Sequence, residues 1–253
     1  MANNHPIIAV TAAWNEFPDR FDWIREQGLA LEYTLNPLSL PDTARHLAPS
    51  LSAGQPIRFH GKFPGYEFGH ADKTLAEKGM RTHLAALETI ADYKESVITL
   101  HIGLEHNTPI DPHRAGENLN KLVERGKSLG VTVCIENLRQ GISADTGQLI
   151  GWAKNSGALI TVDIGHAYGC APVTNGEISA TDYIEPLLPY VCEAHVYGVE
   201  TNRHYPPAAI SQISPVLDKL LKTECRWWTI ELDGLKDIVA MRDQLDKYLK
   251  LKD

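Results

Sequence analysis

Six short apolar runs in this 253-residue chain each end in an imidazole or a carboxylate: IRFH at His60, VITLH at His101, VTVCIE at Glu136, LITVD at Asp163, VCEAH at His195 and WWTIE at Glu231. A single polar residue at a strand end usually faces solvent or caps the next helix. Six in succession point to one convergent site. Glu136, Asp163, His195 and Glu231 together offer three carboxylates and an imidazole. Three anions turned into one cavity repel each other unless protonated or neutralised, and a divalent cation neutralises them directly. Mixed oxygen and nitrogen donors suit Mn²⁺, Mg²⁺, Co²⁺, Fe²⁺ or Zn²⁺, and the sequence does not choose among them. No cysteine stands at any of the six ends, which argues against a structural zinc site.

The elements that must position these groups follow from a period of two, because alternate strand residues point to opposite faces. Ile98 and Leu100 oppose Thr99 and His101; Val133 and Ile135 oppose Cys134 and Glu136; Ile160 and Val162 oppose Thr161 and Asp163; Trp228 and Ile230 oppose Thr229 and Glu231. One face packs under helices, and the other looks into a shared interior with the ligand-type residue at the top. Between the runs lie helical patterns, among them residues 72–93, 112–129 and the closing LKDIVAMRDQLDKYLK, and IIAVTAAW and LALEYTL supply two further strands. Eight strand-helix alternations imply parallel strands with right-handed crossovers, and favour a closed (β/α)8 barrel over an open doubly wound sheet. In such a barrel functional groups collect at the C-terminal strand ends, where these six fall.

Residues 1–253 fit one barrel domain, and no linker, charge block or low-complexity segment suggests a second. The 43% hydrophobic and 22% charged content is that of a soluble globular chain. No apolar stretch approaches the roughly 20 residues that cross a bilayer, so no membrane role is expected. MANNHPIIAV lacks the charged and long apolar regions of a leader. The four cysteines form no C-x-x-C pair and are expected to be reduced and buried in a cytoplasmic protein. A net charge of −8, with no basic run beyond KYLKLK, argues against a nucleic-acid partner.

FHGKF, TLHIG, CIEN, VDIGH, EAHVYG and IELDG, in this order, resemble the xylose isomerase-like TIM-barrel superfamily of sugar isomerases and epimerases, hydroxypyruvate isomerase and endonuclease IV. The resemblance covers the third to the eighth strand. In its epimerase branch it implies one metal held by Glu136, Asp163, His195 and Glu231, with Glu136 and Glu231 also serving as the catalytic acid/base pair about an enediolate. His166 and Arg203 resemble substrate-holding positions. The endonuclease IV branch implies up to three zinc ions: His60, His101 and Glu136 resemble the first site, the four-residue set the second, and His166 and His204 part of a third. The aspartate of that third site stands here as Asn202, an amide without charge.

The leading expectation is therefore a divalent-metal-dependent isomerase or epimerase of a small sugar, sugar phosphate or hydroxy-keto acid. The alternative is an endonuclease IV-like di- or tri-zinc phosphoesterase, and a third reading is a non-catalytic metal- or small-molecule-binding barrel. His60 and His101 are either substrate or second-metal contacts, or hydrogen-bonded interior histidines. Glu32 and Glu193 are expected as buried structural carboxylates, and His70, His83, His106 and His113 as surface residues. Trp228 should face the helices, with Trp227 low in the barrel. Trp14, Phe63, Tyr66 and Tyr197 are candidates to shape the mouth around a polar substrate, or to meet a second copy of the chain in a homo-oligomer.

Overall fold

Runs rich in Val, Ile and Leu make the barrel wall, since branched side chains suit a pleated surface packed under helices. A computed structural model describes residues 5–93 and 96–252. Eight parallel strands close into a barrel: β1 (Ile7–Ala13), β2 (Ala30–Thr34), β3 (Ile57–Gly61), β4 (Val97–Leu100), β5 (Thr132–Glu136), β6 (Leu159–Asp163), β7 (Val191–His195) and, after a separate β8–β9 hairpin (Val199–Glu200 and His204–Tyr205), β10 (Trp227–Ile230). The ring closes where β10 pairs with β1, Ile8 against Trp228 and Val10 against Ile230.

The outer helices are α1 (Asp19–Glu26), α2 (Thr43–Ser52), α3 (Lys73–Ile90), α4 (Pro112–Leu129), α5 (Thr146–Ser156), α6 to α8 (Ile164–Gly169, Ala171–Thr174, Ala180–Ile184), α9 (Ser214–Leu220) and α10 (Leu235–Lys250). Their ends follow local chemistry. Asp111 accepts hydrogen bonds from the amides of His113 and Arg114 at the start of α4, Pro112 takes the first helical position, and Gly130 ends the helix at φ 72°. Where DYIEPLLPY suggests one helix, α8 stops at Ile184 and a 3-10 helix continues to Tyr190, because Pro186 and Pro189 cannot donate to an α-helical ladder. The sixth strand is shorter than LITVDIGH suggests. Asp163 both ends β6 and caps α6, its Oδ1 accepting from the His166 amide at 2.6 Å.

Leu31, Phe59, Ile98, Ile160, Ala194 and Trp228 are buried between wall and helices, each large side chain stabilising by roughly 1.5–3 kcal/mol. That layer offsets an interior that is unusually polar. Glu32, Thr99, Thr161, Glu193 and Thr229 are fully buried below the ligand-type residues. Thr99 and Thr161 share a 2.6 Å hydrogen bond, and Thr229 Oγ1 donates to Glu193 Oε1 at 2.8 Å. On the barrel floor Trp227 lies under the Arg58 guanidinium, which donates to Glu193 Oε2 at 3.1 Å. Trp228 faces the helices and Trp227 the interior, as alternation requires.

His83, Tyr197 and Cys192 depart from expectation. His83 is buried in α3, with Nδ1 donating to the Gly79 carbonyl at 2.9 Å and its ring meeting Phe63 and Phe68 edge-on. It belongs to the inward stripe Ala76, Gly79, His83, Ala86, Leu87 and Ile90. Tyr197 is fully buried and not at the open mouth. The cysteines are free thiols; Cys134, Cys170 and Cys225 are buried and Cys192 is partly exposed. Among the described residues no helix is long and apolar enough to cross a membrane.

Candidate metal centre

The strand register gathers the six end residues into one layer. His60 stands beside Thr99, Glu136 beside Thr161, Asp163 beside His195, and His195 beside Thr229. His101 and Glu231 sit one residue past β4 and β10. All six are nearly or wholly buried, none more than 7% exposed.

Within this layer, ligand atoms of Glu136, Asp163, His195 and Glu231 lie within 4.8 Å of one another, and so do those of His60, His101 and Glu136. Donors about 2.0–2.2 Å from one tetrahedral ion stand roughly 3.3–3.6 Å apart. His195 Nδ1 is 3.0 Å from Glu231 Oε2, 3.5 Å from Glu136 Oε2 and 3.7 Å from Asp163 Oδ2. His101 Nε2 is 3.1 Å from Glu136 Oε2 and 3.2 Å from His60 Nε2, with His60 Nε2 3.6 Å from Glu136 Oε2. These separations of 3.0–3.7 Å bracket that spacing. Glu136 Oε2, Asp163 Oδ2, His195 Nδ1 and Glu231 Oε2 are moreover buried without a hydrogen-bond partner. Such groups cost several kcal/mol when left unsatisfied, in the order of 1–3 for each neutral group and more for charges. The residues present fit a divalent cation.

The groups behind the ligands fix their orientation, as outer partners do in metal sites. His195 Nε2 donates to Glu32 Oε1 at 3.1 Å, leaving Nδ1 for the cluster. Asp163 spends Oδ1 on the α6 cap, leaving Oδ2. Asn137 holds the ends of β5 and β6 together, its amide donating to the Asp163 carbonyl at 3.0 Å and its Oδ1 accepting from the Asp163 amide at 2.8 Å. Gly165 lets Tyr197 pack over α6, since a Cβ there would lie 1.9 Å from Tyr197 Cε2. Tyr197 in turn stacks on His204, ring centroids 4.3 Å apart.

A third set is His166, Glu200 and His204. His166 Nδ1 donates to the Asn137 carbonyl at 2.8 Å and His204 Nδ1 to the Glu231 carbonyl at 3.0 Å, so both present Nε2. Those nitrogens lie 3.3 and 3.9 Å from the Glu200 carboxylate. Glu200 faces His204 across the β8–β9 hairpin, and Arg139 Nε donates to it at 3.1 Å. The carboxylate beside these two imidazoles is thus that of Glu200, while Asn202 Oδ1 accepts from the Tyr205 hydroxyl. Arg203 does not join the site: its side chain is 45% exposed, 3.6 Å from Asp237 and stacked on Tyr205.

Burial pushes Glu136 up, but the imidazoles of His101 and His195 outweigh it and hold the carboxyl well below its ordinary range. Glu231 behaves alike, with His204 and His195 overcoming burial. Burial would strip His195 of its proton, yet Glu32, Glu136 and Glu231 hold it well above the usual imidazole range. His60 moves the other way, driven down by burial and by His101. An incoming cation must therefore displace a proton from the cluster.

Two chambers open above the centre. One, of about 130 Å³, is lined by His101, Glu136, His166, Glu200, His204 and Glu231 together with Lys62 and Arg139. The other, of about 310 Å³, lies over the ends of β1 and β2 and shares Lys62, His204 and Glu231 with the first. Lys62, Arg139 and Glu200 carry no strand-end signal in the sequence.

Residues 41–239 match the model of a family described as xylose isomerase-like TIM barrel. An uncharacterised protein of Methanocaldococcus jannaschii is 30% identical over 155 residues, covering 61% of this chain and 67% of that protein. Among solved structures, 3-keto-D-glucoside 4-epimerase from E. coli is similar with a TM-score of 0.74 and 15% identity, over 97% of this chain and 99% of the other. Endonuclease IV from Thermus thermophilus is similar with a TM-score of 0.66 and 18% identity, over 96% and 100%. At such identities these likenesses carry the fold alone.

Proposed function

The chain belongs to the xylose isomerase-like TIM-barrel family, and on that premise we propose that it is a divalent-metal-dependent isomerase or epimerase of a small sugar, sugar phosphate or hydroxy-keto acid. The observation that carries this reading is the set of four buried, unsatisfied ligand atoms on Glu136, Asp163, His195 and Glu231. When bound, Mn²⁺, Co²⁺, Fe²⁺, Zn²⁺ or Mg²⁺ supplies Lewis acidity that polarises a carbonyl and offsets charge as the neighbouring C–H ionises.

Everything else falls to the chain. Glu136 and Glu231 both border the small chamber, and both rest as carboxylates, the form a base requires. One removes the proton beside the carbonyl, giving an enediolate. The other carboxylate returns it: to the opposite face of the same carbon, which epimerises the substrate, or to the neighbouring carbon while the hydroxyl proton passes between the two oxygens, which isomerises it. His166 Nε2 and His204 Nε2 stand at the chamber wall to hold hydroxyls, and burial of the layer excludes bulk water. Glu136→Gln and Glu231→Gln should each abolish turnover on ketose and hydroxy-keto acid panels; substantial activity in either sinks the proton-transfer assignment.

A second reading is favoured by Glu200. With three complete ligand sets, the chain could hold three ions and hydrolyse a phosphoester, as endonuclease IV relatives imply. Its net charge of −8 favours a small phosphoester over a nucleic acid. Hydrolysis of p-nitrophenyl phosphate that requires Glu200 would move this reading to first place.

A further inference from the structure

Along β3 and one residue past it, Arg58, His60 and Lys62 follow in steps of two, with Arg58 on the floor, His60 in the layer of strand-end residues and Lys62 at the mouth. Gly61 keeps this rise close to β4, since a Cβ there would lie 2.6 Å from Leu100 Cδ2. Lys62 borders both chambers at their junction.

The other cations at these walls are committed. Arg20 donates to Glu16 Oε1 at 2.8 Å and to the carbonyls of Leu232 and Asp233 at 2.6 and 2.8 Å. Arg139 donates to Glu200. Lys62 makes no hydrogen bond or ion pair within contact distance among the described residues, though its charge lies in the field of Glu231, Glu136, Glu200 and Asp163. A divalent ion held by Glu136, Asp163 and Glu231 would neutralise three of those carboxylates, and Arg139 already pairs with Glu200, so the ammonium would be left facing whatever enters. A hydroxyl satisfies an ammonium poorly, whereas an oxyanion forms a charge-assisted bond with it. Beyond Lys62 the larger chamber offers Thr11, Asn15 and Thr34 beside the carboxylates of Glu16 and Asp233. These suit hydroxyls and repel a second anion.

We propose that Lys62 holds a single oxyanion, carboxylate or phosphate, on an otherwise polyhydroxylated substrate, which makes the substrate a sugar acid or a sugar phosphate. This rests on the metal-centre reading and narrows its substrate class.

The test uses metal-loaded full-length protein and three probes: D-gluconate, inorganic phosphate and neutral D-glucitol. Binding is followed by calorimetry, and metal content is measured on every sample. Lys62→Met should weaken the favoured anion by about tenfold or more, the scale of a charged hydrogen bond, while Lys62→Arg retains most of the affinity and glucitol binds both variants as it does the wild type. Preference for gluconate assigns a carboxylate and preference for phosphate a phosphoryl group. Equal anion binding by wild type and Lys62→Met overturns the proposal, as does anion binding to the wild type no tighter than glucitol. Wild-type protein that holds no metal overturns the site reading instead, so the two failures are distinguishable.

Discussion

Replacing Glu32 by glutamine tests a carboxylate that stands behind His195 and outside the four-residue set of Glu136, Asp163, His195 and Glu231. Its carboxylate accepts from His195 Nε2 at 3.1 Å and lies 3.7 Å from His60 Nδ1, so it orients one imidazole directly and faces another. Glutamine keeps the shape and removes the charge. The His195 lone pair aimed at the cluster becomes less basic, and losses of this kind typically cost 10–100-fold in metal affinity, or about 1.4–2.7 kcal/mol. Glu193 provides the control, because its Oε1 is 4.0 Å from the same nitrogen, beyond hydrogen bonding. The assay is competition for Mn²⁺ or Zn²⁺ against a chromogenic chelator, with circular dichroism to verify folding. Glu32→Gln should fall by one to two orders of magnitude, and Glu193→Gln should stay near wild type. Folded Glu32→Gln with affinity within about twofold of wild type, or an equal loss in both variants, refutes the orienting role.

Burial holds His83 down to about 4, against an ordinary imidazole value of 6.5. The folded state thus stays neutral while the unfolded chain takes up a proton, and stability present above 6.5 is lost as pH falls toward 4. At about pH 5 the loss is about 2 kcal/mol; urea unfolding of His83→Phe should show correspondingly less acid sensitivity, and an unchanged difference between neutral and acid pH contradicts it. Gly165→Ala forces the buried Tyr197 ring aside and should cost about 1–3 kcal/mol, measured by the same unfolding curves; a neutral result contradicts the packing account. Metal uptake near pH 7 should release protons, because His195 is held protonated by Glu32, Glu136 and Glu231. A pH-indicator dye in weak buffer reads this release, and uptake without it contradicts the coupling.

The barrel and the shared layer of strand-end carboxylates and imidazoles were legible because both depend on local periodicity. In ITLH, TVCIE and LITVD the alternation alone says which residues share a face, and a barrel makes one face interior. Glu200 escaped because its position depends on a hairpin: VE and HY flank the turn Thr201–Arg203, and only their antiparallel pairing brings residues 200 and 204 together. Lys62 continues the Arg58–His60 alternation but lies past the strand end, where a lysine ordinarily reads as solvated. His83 was misplaced through its residue type, although its spacing of four from Gly79 and Leu87 puts it on the apolar stripe of α3. Arg203 sits in the expected loop, yet the hairpin turns it toward Asp237 and away from the chambers, an orientation that no local pattern encodes.

The central claim is that the carboxylate and imidazole layer is a metal centre, and the most direct measurement is divalent metal per chain. Protein purified without chelators or a metal-binding tag would be compared with Asp163→Asn, a change that keeps the Oδ1 cap of α6 while removing the charge beside His195. The account predicts at least one ion per wild-type chain and a marked loss in the variant. Metal-free wild type that also takes up none on dialysis against Mn²⁺ or Zn²⁺, or equal metal in both proteins, would contradict it.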